Sequence, residues 1–244
     1  MFGFDRPTQS SDAALRAYDK LNFGCGHDKR AGYLNVDMDP ACEPDLLVKP
    51  GDFSALPKHH FAELYAKDVL EHIPRTQTMS ALLEFSSLIR DQGRLMVQTT
   101  NVLELAKRME TNSSFADQYG WTVCLFGSQA HAGDFHYTGF TDTTLEVHLA
   151  AARFSVVSRD LIDGWMNRWE CVKESDWEDA IQHPGDDLAF LGAAYDSVFD
   201  RQLDEIGAAH FSRQLSLGKS RRDVLKELYC APERLYVTAR RLNL

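Results

Sequence analysis

No stretch of this 244-residue chain approaches the ~20 consecutive apolar residues that a membrane-spanning helix needs. The first dozen residues have neither a basic lead nor an apolar run, so the start does not read as a secretory signal. Positive charge is in deficit: 26 Lys and Arg stand against 36 Asp and Glu, for a net charge of −10. Nucleic acid and anionic lipid are held largely by cations, so neither is an expected partner. The five cysteines (25, 42, 124, 171 and 230) are odd in number and scattered, with no C-x-x-C. They read as reduced thiols in a cytoplasmic protein. Two glycine signatures are missing as well. There is no Gly-Lys-Ser/Thr phosphate loop, and Gly24-x-Gly26 lacks a third glycine at dinucleotide spacing, since Gly32 comes too late.

What is present is an ordinary globular composition, 44% apolar and 25% charged. The length suffices for one sizeable core and a small second unit. The chain is organised around residues 20–40. A short apolar run (Leu21, Phe23) enters Gly24-Cys25-Gly26, and a second (Tyr33, Leu34, Val36) ends on Asp37 and Asp39. That pattern is a strand, a glycine turn, a brief connection and a second strand with a carboxylate at its tip. Glycine at such a turn accepts positive φ and lets a ligand press on bare backbone. A carboxylate at the end of the next strand is placed to accept hydrogen bonds from a ribose. The pair therefore suggests a nucleoside-containing ligand.

Further strands are expected at 45–48, 61–66, 94–98 and 154–157, and helices at 78–90, 101–118 and 145–152. The ten residues between Phe23 and Leu34 leave room for a first helix of only one or two turns. Residues 119–140 read as an aromatic, glycine-bearing loop. Strands alternating with helical patterns imply an α/β fold, a mainly parallel sheet with helices on both faces. From about 175 the texture changes to short helical patterns at 186–233. Residues 234–241 read either as a last strand returning to the sheet or as part of an appendage, in which case 168–173 supplies that strand. The division drawn is 1–174 and 175–244.

Leu21-Asn-Phe-Gly-Cys-Gly26, Gly32-Tyr-Leu-Asn-Val-Asp-Met-Asp-Pro40 and Asp68-Val-Leu-Glu-His-Ile-Pro74, in that order, resemble the class I S-adenosylmethionine-dependent methyltransferases. More narrowly they are similar to a compact bacterial branch associated with polysaccharide biosynthesis. The tract 186–233, through Phe190, Tyr195, Asp204, Gly207 and Ala231-Pro-Glu233, resembles a small helical domain of unknown function, the glycosyltransferase-associated or phycobilisome-linker-like repeat. A plain helical cap on the sheet is the other reading of that tract. The first resemblance implies a Rossmann-like sheet with S-adenosylmethionine as cofactor. It places Phe23, Gly24, Cys25 and Gly26 against the methionine part and Asp37 with Met38 at the ribose. Asp52 with Phe53 would meet the adenine edge, and Asp68 with Leu70 the sulfonium end.

A hydroxyl acceptor must lose a proton, and histidine titrates nearest working pH. Of nine histidines, three stand out: His72 beside Glu71, and His131 and His136 in the aromatic loop. Asp134 and His136 form a candidate base pair, with His72 as a further candidate; a capping or substrate-binding role is the alternative for each. His131, Asp134 and His136 also admit a metal reading, set aside because magnesium prefers oxygen ligands and zinc a firmer set. The aromatics Trp121, Phe126, Phe135, Tyr137 and Phe140 are read as a lid for a sugar ring or as plain packing. The expected activity is methyl transfer to a saccharide or glycoconjugate hydroxyl. The alternatives are a non-catalytic module docking on a glycosyltransferase or other assembly partner, and a nicotinamide oxidoreductase or epimerase, disfavoured by the glycine spacing.

Overall fold

A computed structural model describes residues 12–111, 114–131 and 133–244. The irregular start expected over 1–12 lies, apart from Asp12, outside them. Seven strands form one sheet: β1 (Lys20–Phe23), β2 (Leu34–Asp37), β3 (Leu46–Leu47), β4 (Phe61–Lys67), β5 (Ile89–Thr100), β6 (Phe154–Ile162) and β7 (Met166–Lys173). Their order is β3-β2-β1-β4-β5-β7-β6. The first five are parallel, and β7 runs antiparallel between β5 and β6. Leu21, Leu34, Val36, Phe61, Leu64, Ala66, Leu95 and Val97 are all buried, as central parallel strands require. The sheet is α/β and Rossmann-like in its parallel half, and the chain reverses direction across it between β1 and β4. Ligands of such sheets lie outside the carboxyl ends at that switch point.

The first crossover holds no helix, contrary to expectation. Residues 24–33 form a turn-rich loop whose polar groups are met by two buried asparagines in register on neighbouring strands. Asn22 donates to the carbonyl of Asp28 (2.9 Å) and to Asn35 Oδ1 (3.0 Å), which also accepts from the Arg30 amide (2.8 Å). Asn35 is fixed in turn by Asp45, which accepts from its backbone and side-chain nitrogens at 2.8 and 2.9 Å. Asn22 and Asn35 are themselves buried, and without these partners their amides would be costly. The third strand is only two residues long and partly exposed, not buried as expected.

The helices are α1 (Asp12–Leu15), α2 (Thr78–Leu88), α3 (Val102–Thr111), α4 (Phe115–Phe126), α5 (Asp142–Ala151), α6 (Asp187–Phe199), α7 (Glu205–Ser216), α8 (Arg221–Cys230) and α9 (Pro232–Leu242). The single helix expected at 101–118 is two, and the first eight residues of the expected loop 119–140 belong to α4. Ser114 restarts the helix by accepting from the Asp117 amide, a cap that the aromatic texture obscured. α2 stops at Leu88 because Ile89 already pairs with Phe61.

The segment 234–241 is helical, so it does not return to the sheet; β7 supplies the last strand. The terminal helices share one hydrophobic cluster with the strands. Trp177 donates to the Leu83 carbonyl (3.0 Å) and the Ser87 hydroxyl (2.9 Å) on α2, and its ring meets Tyr229 edge-on. Arg234, 2% exposed, donates to the carbonyls of Val198 (3.1 Å) and Ala151 (3.3 Å), near the carboxyl ends of α6 and α5. Among the described residues no helix is long and apolar enough to cross a membrane.

Candidate functional site at the switch point

β1 ends on Phe23, whose ring stacks on Phe53 at 5.2 Å and meets Phe85 edge-on. This aromatic floor fixes the strand end from which the glycine bend rises. Gly24 and Gly26 both have positive φ, +67° and +49°. A Cβ on Gly24 would lie 2.5 Å from Val69 Cγ2, so the bend is pressed against the chain leaving β4. On Gly26 a Cβ would meet nothing within 4 Å. The amides of Gly24 and Cys25 both donate to the Val36 carbonyl (2.8 and 3.0 Å), locking the bend to β2.

Asp37, at the tip of β2, turns toward that bend. Its Oδ2 accepts from the Gly26 amide at 2.7 Å and its Oδ1 from the Asp39 amide at 2.9 Å. Each oxygen keeps a second lone pair for a ligand hydroxyl. Beside it opens a cleft of about 240 Å³ lined by Asn22, Gly24–Gly26, His27, Asp28, Lys67 and Asp68. Asp28 and Lys67 pair across its rim at 3.3 Å. The Cys25 thiol is buried, and that burial pushes its pKa up to about 11, so it stays protonated.

Across the cleft, Asp68 has φ +52° and donates its amide to the Gln98 carbonyl. Its side chain reaches solvent, yet the protein around it removes enough water to raise its carboxyl pKa. Glu71, three residues on, is 1% exposed. Burial first, and then the charge of Asp68, lifts its pKa to about 7 against the bonds it accepts. Thr99 donates to it at 2.9 Å. In the sequence Glu71 reads only as the partner of His72. Its burial depends on β5 closing behind it, and an acid inside Val-Leu-Glu-His-Ile was the one signal available.

The backbone of Glu71 also builds the other half of the site. Its carbonyl accepts from the amides of Tyr137 (2.7 Å) and Thr138 (3.2 Å), and the Thr138 hydroxyl donates to the Ile73 carbonyl (2.9 Å). The loop before α5 is thereby zipped onto the short 3-10 turn Leu70–His72. The rings of His72 and His136 meet edge-on, 4.7 Å apart. His72 Nδ1 lies 3.2 Å from the Phe135 carbonyl, and one atom each of His72, Asp134 and His136 fall within 4.8 Å of one another. Asp134 takes the Ser128 amide (3.0 Å) and hydroxyl on Oδ2. Those bonds hold its carboxyl pKa below the usual range.

The sequence-selected residues do not all fall in one place. Gly24, Cys25, Gly26 and Asp68 line the cleft, with Asp37 clamped to its glycine. His72, Asp134 and His136 gather beyond Asp68. Met38 joins the two, since a Cβ on Gly133 would lie 2.9 Å from the Met38 methyl. Phe23, Phe53 and Leu70 pack in the core or against it. Asp52 lies elsewhere: exposed and bonded to Ser54, it borders a separate cavity of about 350 Å³ with Lys58, Glu84, Glu178 and Arg222. His131 is exposed and turned to the Gly133 amide. The aromatic loop is divided: Phe140 is buried, Phe135 and Tyr137 stack at 6.1 Å, and Trp121 with Phe126 belongs to α4.

No protein-family model matches the chain, and no curated protein does either. Solved structures similar to it include 1,6-didemethyltoxoflavin-N1-methyltransferase of Burkholderia thailandensis, with bound 1,6-didemethyltoxoflavin and S-adenosylhomocysteine. That likeness is at 16% identity, over 67% of this chain and 76% of that one, with a TM-score of 0.45. A SAM-dependent methyltransferase of Methanosarcina mazei is similar at 14% identity over 63% and 91%, with a TM-score of 0.46. Magnesium protoporphyrin IX methyltransferase of Synechocystis PCC 6803, with bound S-adenosylhomocysteine, is similar at 14% identity over 67% and 77%, with a TM-score of 0.44.

Proposed function

We propose that this protein is a cytoplasmic enzyme that transfers a methyl group from S-adenosylmethionine to a hydroxyl of a saccharide or glycoconjugate. The observation that carries this reading is the Asp37 carboxylate clamped onto the Gly26 amide at the head of the switch-point cleft. The clamp sets two acceptor lone pairs beside bare backbone, the arrangement a ribose and an amino-acid tail require together. The open space over Gly26 and the closed space over Gly24 give that tail one side on which to lie.

S-adenosylmethionine supplies an electrophilic methyl on a sulfonium. The chain's own residues hold and orient. Gly24 and Gly26 present backbone to the methionine part, and Asp37 accepts from the ribose hydroxyls. Asp68 faces the sulfonium end across the cleft. Phe53 acts from below by stacking on Phe23, while Asp52 borders the neighbouring cavity. His72, Asp134 and His136 stand at the acceptor end, where a hydroxyl must give up its proton. Positioning of this kind is worth an effective concentration of roughly 10⁵ M or more. Phe135 and Tyr137 offer the flat faces on which a sugar ring stacks.

Calorimetry with S-adenosylhomocysteine on the wild type and Asp37→Ala tests the cofactor half. Binding to the first and loss of at least ~10-fold in the second is expected, that being the ~1.4 kcal/mol typical of a charged hydrogen bond. Absence of binding to the wild type overturns the proposal. Labelled S-adenosylmethionine with sugar nucleotides or glycan fragments, followed by mass measurement for one added methyl, tests the acceptor half.

The alternative is a non-catalytic protein in which a methyltransferase-fold module (1–174) carries a helical unit (175–244) that docks on a glycosyltransferase or other polysaccharide-assembly partner. The strongly exposed Ile206 and Leu217, at the two ends of α7, favour it. It predicts partner binding with no turnover on any acceptor.

A further inference from the structure

We infer that His72, His136 and Asp134 form a site for one divalent first-row transition ion, with zinc as the probe of choice. The three come from two stretches of chain more than sixty residues apart, yet one ligand atom from each lies within 4.8 Å of the other two. Backbone bonds, not an ion, bring them together: the Tyr137 and Thr138 amides on the Glu71 carbonyl, and the Thr138 hydroxyl on that of Ile73. The metal reading set aside at the level of sequence had His131 as its third ligand. The fold replaces it with His72, whose rigid seat makes the set a firm one.

Each side chain is prepared in a different way. His72 Nδ1 stands 3.2 Å from the Phe135 carbonyl, which can only accept, so Nδ1 carries the proton and Nε2 keeps its lone pair. Metal-binding histidines are nearly always fixed in this manner. His136 Nδ1 is buried and has no hydrogen-bond partner among the described residues. Such an orphan costs roughly 1–3 kcal/mol unless something fills its vacancy. Asp134 commits Oδ2 to Ser128, which orients the carboxylate, and its Oδ1 takes no hydrogen bond among the described residues.

The donor set chooses the ion. Magnesium and calcium call for oxygen ligands throughout, whereas two imidazoles and a carboxylate suit zinc and its neighbours. Three protein ligands are the usual complement of a zinc ion that keeps one position open. With bonds of about 2.1 Å, tetrahedral ligands stand roughly 3.4 Å apart. Closing from a spacing of at most 4.8 Å asks the ligand atoms to approach by no more than about 1.4 Å, within reach of side-chain rotation. If methyl transfer is the activity, the open position would take the acceptor oxygen and make its hydroxyl more acidic. That role rests on the proposal above; the ion site does not.

The experiment is zinc calorimetry on chelator-treated, dialysed protein, with cobalt(II) substitution read by its visible absorption. One ion per chain and the strong visible bands of a four- or five-coordinate cobalt site are expected. Loss of a mere supporting partner weakens metal sites ~10–100-fold, so His72→Ala and His136→Ala should each lose on the order of 100-fold in affinity, and Asp134→Asn at least 10-fold. His131→Ala should bind as the wild type does. No uptake by the wild type overturns the inference, and that measurement needs no variant to fold. Uptake unchanged in Asp134→Asn and the two histidine variants, or abolished by His131→Ala, overturns it too. S-adenosylhomocysteine titrated into the same samples separates the readings. Nucleoside binding without zinc sinks this inference alone, and zinc without nucleoside binding sinks the methyl-transfer proposal alone.

Discussion

Gly24 and Gly26 share a left-handed backbone but answer to different neighbours. Each would charge an alanine about 1 kcal/mol or somewhat more for its positive φ. Gly24→Ala must also push Val69 aside, so a total loss of about 2–3 kcal/mol is expected in urea unfolding. Gly26→Ala meets no neighbour and should keep most of its stability. Its added methyl occupies cleft space, so S-adenosylhomocysteine affinity falls instead. The two losses are read on the same samples by denaturation and calorimetry. Both glycines and Asp37 were legible in the sequence because their chemistry is local: a turn that needs no side chain and a carboxylate at a strand tip. Glu71 was not legible, because nothing within its own segment says that β5 will seal it from water. Nor was the union of His72 with His136, which depends on amides sixty residues away.

At the scale of elements, α8 is held to α2 by charge. Glu84, 7% exposed, is met by Lys58 and Lys226, each at 2.6 Å, and by Arg222 at 3.4 Å. Burial alone would raise the Glu84 pKa, but the two ammonium groups outweigh it and hold the carboxyl at about 2. The folded value lies below the ordinary one, near 4.3. Its stabilising contribution is therefore complete above that range and is lost as pH falls toward 2. Glu84→Gln should cost more stability at pH 7 than at pH 3, narrowing the gap from the wild type on the acid side. Urea titrations followed by circular dichroism at both pH values check this. Most elements were visible as periodic apolar runs, and the exceptions have specific causes. The β6–β7 hairpin was hidden in the three-residue connection 163–165, where Asp163 and Gly164 take φ of +53° and +72° and the Trp165 amide donates to the Ile162 carbonyl. α4 was hidden because its aromatics are largely solvent-facing, and the apolar stripe that usually marks a helix is absent.

Across the whole molecule, one arginine gathers three helices. Arg234 on α9 reaches carbonyls near the ends of α5 and α6, where helix dipoles concentrate negative charge. Desolvation pulls its pKa down to about 10, still well above neutrality. Arg234→Met leaves two buried carbonyls unpaired at ~1–3 kcal/mol each. For a chain of this size each kcal/mol is roughly 2–4 °C, so a fall of about 5–15 °C in Tm is expected by calorimetry. A chain truncated after residue 185 strips the cover from α2 and α5, and it should bind a hydrophobic dye strongly and lose its cooperative melt. The loop 135–138 has a different kind of anchor. Two of its holds are peptide N–H groups, which every amino acid except proline possesses, on the Glu71 carbonyl, and another is the Thr138 hydroxyl. The side chains of Phe135 and Tyr137 can therefore change while those amide bonds keep His136 beside His72.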